Sequence, residues 1–484
     1  MKPVLRGASL GLALVLSACQ VMGPDYHLPQ KAAVNRTDLQ GDLAGANHDV
    51  VSAPVPDDWW RLYNDPRLNT LVQQAMAANT DLRVATANIA RAQNQLELAQ
   101  AQGGFSTSVS GEVQRVQEAG QAFLLTEKVP VGNIGSFSIK TAYQFDMWGV
   151  FQRGVEAATA NADAAQAAAD LARITVVANV VRAYTQVCAA NEEREIAMQS
   201  LDLQQQGVSL AQRLRDAGRG DETQVTRTQT QYKSLRAELP QYEAERQAGI
   251  NQLAMLLAKP ANQLPAGTDG CAQLPQIGQL LPVGDGATLL KRRPDIRQAE
   301  RKLAAATADI GVATGQLYPD ISFGATVGTV GLLDDLVGPT TNRWAFGPLV
   351  NWTIPTNGAR ARVRMAESST QAALASFDGT VLNAIRETQT ALANYTAALQ
   401  RREALVDTDR SAHDAADQTH RFYLAGRQSF LEDLQATRTY TNVRAQLAAA
   451  NTQVAMQQIN LFLALGGGWE QAQPQQARAN TGGR

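Results

Sequence analysis

Histidine and cysteine are scarce in this 484-residue chain, four and three respectively. No CxxC or HExxH spacing occurs, which speaks against a His/Cys metal centre. There is no P-loop, no GxSxG elbow and no His and Glu paired at metal spacing, so neither a catalytic constellation nor a metal set is read from the chain. Charge of one sign is lacking too: the net charge is −2, lysines and arginines are scattered, and no basic footprint for nucleic acid exists. The apolar run from Leu10 to Leu16 is too short to span a bilayer. With Lys2 and Arg6 before it and Ser17-Ala18-Cys19 after it, residues 1–18 read as a secretory signal peptide. Proline is absent from Met147 to Leu214, where the only glycines are Gly149, Gly154 and Gly207 and alanine dominates. At 1.5 Å per residue that is a helix of about 100 Å, longer than any globular core of this size needs.

What is present is a change of period. From Lys291 the chain reads as a helix, with Pro294 suited to a first turn and Asp295 to its positive end. Ile296, Ala299, Leu303, Ala306, Ile310, Ala313 and Leu317 then fall at alternating steps of three and four, the period of a coiled-coil seam whose alanines admit close partners. After Tyr318-Pro319 the period drops to two. Ile321, Phe323, Ala325 and Val327 alternate with Ser322, Gly324 and Thr326, as in a half-buried strand. The same order stands upstream, with Asp81 lying 214 residues before Asp295. The seam there is Leu82, Ala85, Ile89, Ala92, Leu96 and Ala99, followed by Thr107, Val109 and Val113 alternating against Ser106, Ser108, Ser110 and Glu112. Two related halves are expected.

Taken in order, Asp65 to Gln102 is a helix or helix pair broken near Asn79-Thr80-Asp81, and Ser106–Val116 and Phe137–Phe145 are strands around a loop at 117–135. Phe137, Ile139, Thr141, Tyr143 and Phe145 share a face, as in a lipid-facing strand or a soluble sheet with one buried face. The long helix ends at the turn Asp216–Gly220, and a return helix runs from Glu222 to about Leu257. The second half repeats this: a strand from Ile321, a loop at 329–342, a strand bearing Trp344, Phe346, Val350 and Trp352, a helix over Arg360–Tyr423, a turn at Leu424–Arg427, and a return from Phe430 to Leu465. Trp59, Trp60 and Tyr63 read as packing that docks an extended arm. Cys188 sits on a helix seam and is either a small buried hydrophobe or the partner of Cys271; spacing leaves both open. Four strands of spanning length cannot close a barrel, and open edges are forbidden in lipid, so membrane strands here require chains to associate.

KRRPDIRQAE at 291–300, AAATADIG at 304–311 and LYPDISF at 317–323 together resemble the NodT-like outer-membrane factor lipoproteins, the TolC-type exit ducts of tripartite efflux pumps. Asp65-Pro-Arg-Leu, Asn79-Thr-Asp-Leu and Leu463-Ala-Leu-Gly-Gly-Gly-Trp469 match the same family, as does Met22-Gly-Pro-Asp-Tyr26. The resemblance implies a mainly α fold with a transmembrane β part: a homotrimer forming a twelve-stranded barrel, four strands per chain, continued by a long periplasmic α-helical barrel. It divides the chain into a signal peptide (1–18), a lipidated arm (19–60), a first repeat (61–259), a linker (260–286), a second repeat (287–469) and a disordered tail (470–484). Leu16-Ser-Ala-Cys19 is similar to a lipobox, which makes Cys19 the carrier of diacylglycerol and N-acyl lipid, with Gln20 favouring the outer membrane. No other cofactor is implied.

The implied function is passive exit of drugs or other small solutes, with a periplasmic adaptor and an inner-membrane RND-type pump as partners. The helix-tip turns, Gly218, Arg219 and Gly220 with Gly426 and Arg427, would meet the adaptor. The periplasmic gate would be Leu431, Gln435 and Arg438. Family members commonly carry Asp where Gln435 stands, which puts a carboxylate–arginine latch in doubt and implies a weaker cation preference. Leu431 reads equally as coiled-coil core. The competing readings are a periplasm-spanning adaptor lipoprotein without a pore, and a lipid-anchored hydrolase.

Overall fold

The computed structural model describes residues 21–467, apart from 40, 42–48, 118, 120, 122, 123 and 125. The leader, Cys19, Trp469 and the 470–484 tail lie outside the described residues. In chain order come β1 (Val50–Val51), α1 (Pro66–Ala78), α2 (Thr80–Ala101), β2 (Gly104–Val116), β3 (Gly132–Phe145), α3 (Val150–Asp216) and α4 (Glu222–Leu256). They are followed by β4 (Leu281–Pro282), α5 (Gly286–Arg292), α6 (Pro294–Gly315), β5 (Asp320–Leu332), β6 (Asn342–Asn351), α7 (Asn357–Leu424) and α8 (Phe430–Ala464). Two compact units result, one of Met1–Pro29, Ile89–Ala165 and Ala299–Phe377, the other of Gln30–Asn88, Gln166–Gln298 and Asp378–Arg484.

The first unit holds one antiparallel sheet in the order β2-β3-β5-β6. Both expected loops are shorter than the sequence suggests, because β3 begins at Gly132 and β5 runs on to Leu332, where Ile134 pairs with it. Small residues extend the ladder beyond the part where alternation is readable: Gly135 pairs with Gly331. Beside the sheet, Arg153 gathers the start of the chain. Its side chain is 5% exposed and donates to the Met22 carbonyl (3.1 Å), the Gly23 carbonyl (3.3 Å), Asp25 (2.6 Å) and Glu156 (2.7 Å). Gly149 and Gly311 make room for this segment, since a Cβ on either would strike Val21 or the Met22 carbonyl.

The second unit is helical, and its caps explain its breaks. Asp65 Oδ1 accepts from the Arg67 and Leu68 amides while Oδ2 takes the Tyr184 hydroxyl at 2.7 Å. Asn79 ends α1 and starts α2, its Oδ1 accepting from Asp81 and Leu82 and its Nδ2 donating to the Leu256 carbonyl. Pro294 opens α6 as expected, and Arg293 precedes it. Its buried guanidinium pairs with Asp295 (2.7 Å) and Glu387 (2.9 Å) and caps the α8 end through the Ala464 carbonyl (2.8 Å). On α3, Ile174, Ala178, Val181 and Cys188 are all buried, and Val177, Val180 and Tyr184 widen the apolar face. Pro240 lies inside α4 without ending it.

Cys188 is disulfide-bonded to Cys271, which decides the pairing left open by the sequence. Asn191 adds hydrogen bonds to the Asp269 and Cys271 carbonyls, and Glu192 accepts from the Leu274 amide, so the linker is fastened along one stretch of α3. Gly249 of α4 brings its backbone against α3: a Cβ there would lie 2.7 Å from Val187 Cγ2 and 3.0 Å from the Ala183 carbonyl oxygen. Trp59 is buried and stacks on Phe462 at 4.7 Å, and Tyr63 is buried beside Gln458, so this aromatic group is packing, as expected.

Candidate functional site

Register decides what the sheet presents. Directly opposed residues of an antiparallel pair share a face. Val109, Ile139, Val327 and Trp344 therefore form one row, and they are 62%, 38%, 58% and 75% exposed. Phe105, Tyr143 and Phe323 make a parallel row, as do Phe145, Ile321 and Val350. The opposite face carries Ser108, Lys140 and Thr326 in one row and Ser110, Ser138 and Arg343 in another, with the two serine hydroxyls 2.9 Å apart. The half-buried strand expected at 321–327 is corrected here: its apolar side is uncovered within the chain. Such a continuous apolar face calls for a non-aqueous neighbour, while the other face suits water. β2 and β6 each pair on one side only among the described residues, which leaves two open edges.

The two helical turns share one construction. Gly218 has φ +68°; its amide donates to the Arg215 carbonyl and that of Arg219 to the Leu214 carbonyl. Gly426 has φ +70°; its amide donates to the Tyr423 carbonyl and that of Arg427 to the Phe422 carbonyl. Both are 6→1 and 5→2 Schellman closures. Gly220 follows where a Cβ would crowd Gln224 and the Arg215 amide. The return helices then start on strong caps: Asp221 accepts from the Gln224 amide, and Ser429 with Glu432 forms a capping box. Hydrogen bonds from the Ser429 amide and hydroxyl hold the Glu432 carboxylate below its ordinary range. Its contribution is thus present above the usual glutamate titration and lost as pH falls through the lowered value. Ala211, Val225 and Phe430 form a buried cluster at these ends, with Leu210, Leu214 and Tyr423 packed against it.

No Cβ at Gly218 or Gly426 would meet anything within 4 Å, so only backbone strain opposes substitution. Gly426→Ala is expected to cost about 1 kcal/mol. Hydrogen exchange at the Arg427 amide should quicken by roughly fivefold, while Gly426→Asn changes it less.

Leu431, Gln435 and Arg438 lie together. With Thr226, Arg227, Thr230, Gln231, Ser234 and Leu434 they line a groove of about 610 Å³ between α4 and α8. Leu431 is 38% exposed, and its neighbour Phe430 is the residue packed in the tip cluster. Arg438 also borders a polar cavity with Glu193, Glu238 and Tyr242. Burial raises the Glu193 carboxyl above its usual range against the hydrogen bond from Thr452. Sequence reasoning missed two features: Arg153, whose partners lie about 130 positions away, and Asp433, a carboxylate on the buried side of α8. The signal for Asp433 was an acid midway between Leu431 and Gln435, two residues from each and so on the opposite side of the helix.

Comparison with known proteins follows the same lines. The family described as outer membrane efflux protein matches residues 71–259 and 287–467. Nodulation protein T of Rhizobium leguminosarum bv. trifolii is 29% identical, over 94% of this chain and 96% of that protein. Outer membrane protein OprJ of Pseudomonas aeruginosa is 28% identical, covering 97% of each. Among solved structures, the outer-membrane channel OprN superposes with a TM-score of 0.84 at 31% identity, over 93% of this chain and 100% of that one. CusC gives 0.79 at 25% identity, over 92% and 100%. Relatives named as outer-membrane efflux or channel proteins favour the channel reading over the adaptor reading. A sheet with one apolar and one polar face, long helical hairpins and a family match across most of the length lead to one assignment: the chain belongs to the outer membrane efflux protein family and is an efflux channel protein of the Gram-negative outer membrane.

Proposed function

We propose that three copies of this chain close their sheets edge to edge into a twelve-stranded barrel and their hairpins into a helical tube, a passive exit duct for drugs or other small solutes. The observation that carries this is the four-stranded sheet with two open edges, apolar on one side and polar on the other. Edges cannot stay open in lipid, and three such sheets supply a strand number within the permitted range for barrels. An acylated Cys19 would add a tether, since lipid chains anchor without forming a pore. The adaptor would meet the turns at Gly218, Arg219, Gly220, Gly426 and Arg427, and an inner-membrane RND-type pump would energise transport. Heat-modifiable migration of an outer-membrane trimer, together with single-channel conductance in planar bilayers, tests the assembly; a stable monomer without conductance overturns it.

The gate would lie where Leu431, Gln435 and Arg438 share a groove. Three neutral amides attract cations less than three carboxylates do. Gln435→Asp is therefore expected to raise the cation-to-anion permeability ratio in bilayer recordings by a few-fold. Equal selectivity in the two channels would place Gln435 away from the constriction.

A further inference from the structure

The polar face of the sheet carries its charge unevenly. Strands β2, β3, β5 and β6 hold five charged residues: Glu112, Arg115, Lys140, Asp320 and Arg343. Arg115 falls on the apolar side, opposite Asn133, to which it donates at 3.4 Å. The other four share the polar face. Asp320 stands where α6 feeds β5, and Glu112 stands toward the other end of the sheet; their carboxylates accept from Gln144 and Gln114. Between those two acids the face holds only cations: Lys140, in register with Ser108 and Thr326, and Arg343, in register with Gly328. Both are exposed, and neither makes an ion pair or a side-chain hydrogen bond among the described residues. Their rows are two residues apart with β5 between them, which is about 7 Å along the strands and about 10 Å across. Thr326 and Gly328 on the intervening strand are small, and a Cβ at Gly328 would lie 2.2 Å from the Phe137 carbonyl oxygen. The surface between the two long cationic side chains is therefore low and stays so.

We propose that Lys140 and Arg343 form an anion-binding girdle in the barrel bore, which takes small solutes bearing phosphate or carboxylate groups. This rests on the trimeric barrel proposed above, in which three copies set the pair around one channel. Unneutralised cations in a narrow aqueous bore with apolar walls beyond it focus the field on anions. The guanidinium can receive two oxygens at once, and the ammonium adds a point charge. The girdle is separate from the groove of Leu431 and Gln435, which belongs to the helical unit.

The test is single-channel recording of the purified full chain in planar bilayers, with tripolyphosphate as the probe, beside the double variant Lys140→Gln, Arg343→Gln. Half-block of the parent is expected at a tripolyphosphate concentration at least about tenfold lower than in the double variant, a difference of about 1.4 kcal/mol. The chloride-to-potassium permeability ratio should fall a few-fold in that variant. Both differences should fade in about 1 M KCl, where the Debye length is about 3 Å, and Lys140→Arg should keep the block. Equal block of parent and double variant, or a block that ignores salt, overturns the proposal. Should the double variant fail to assemble, the parent decides alone, and its indifference to tripolyphosphate at low salt overturns the girdle. A parent that conducts with that indifference leaves the duct standing without the girdle; a parent that never conducts removes the duct and the girdle with it.

Discussion

Val327→Arg is expected to abolish stable outer-membrane assembly, whereas Thr326→Arg, one residue away, is expected to assemble nearly as the parent does. Val327 stands mid-strand in the exposed row with Val109, Ile139 and Trp344, and Thr326 stands on the other face beside Lys140. If the apolar face meets lipid, a charge near the middle of the bilayer costs about 2–4 kcal/mol. A trimer repeats the substitution three times, so roughly 6–12 kcal/mol is lost per assembly. On the water-filled face the same charge changes selectivity rather than stability. Membrane fractionation and heat-modifiable migration of the two variants read the difference directly. If Val327→Arg assembles and Thr326→Arg does not, the two faces have been assigned the wrong way round.

Replacing both Cys188 and Cys271 by serine is expected to lower stability by about 4.5 kcal/mol, the chain-entropy value for a loop of this length. The bridged residues are 83 positions apart, and the loop they close contains the whole of α4 and the turn at Gly218. Reduction of the parent protein should shift its urea midpoint to that of the double variant, and should leave the variant unmoved. Asn191 and Glu192 keep their bonds to the linker, so the fold is expected to survive in weakened form. Identical midpoints for the oxidised and reduced parent would show that these polar contacts alone hold the linker. A periplasmic location favours the oxidised form.

The sequence was most legible where one physical rule acted alone. Pro294 at a first turn, Asn79 between two helices and the Ala-Gly-Arg turns at 217–219 and 425–427 are local signals, and each produced the element expected. Alternation located the four strands of the antiparallel sheet but not the short β1–β4 pair, and the ends of the four were misjudged where glycine removed the contrast, as at Gly132, Gly135 and Gly331. Trp352 falls just past β6, where its indole N–H donates to the Leu317 carbonyl. Contacts between distant positions left no trace in composition or period. The Cys188–Cys271 bridge stayed one of two options, and the Arg153 clamp was unreadable. The grouping of Leu431, Gln435 and Arg438, the proposed gate, follows from helical spacing.

The close approach at Gly249 also bears on how such a duct moves. Because α4 lies backbone to backbone on α3 at Ala183 and Val187, these two arms cannot slide or separate there without losing contact. From that point to the Gly218 turn run 31 residues of α4 side, about 46 Å of helix. A lever of this length turns small rotations into useful travel: about 5° at the fulcrum carries its far end roughly 4 Å. If the proposed duct opens at these tips, widening needs no melting of either arm, and a bulkier residue at position 249 would act at the pivot.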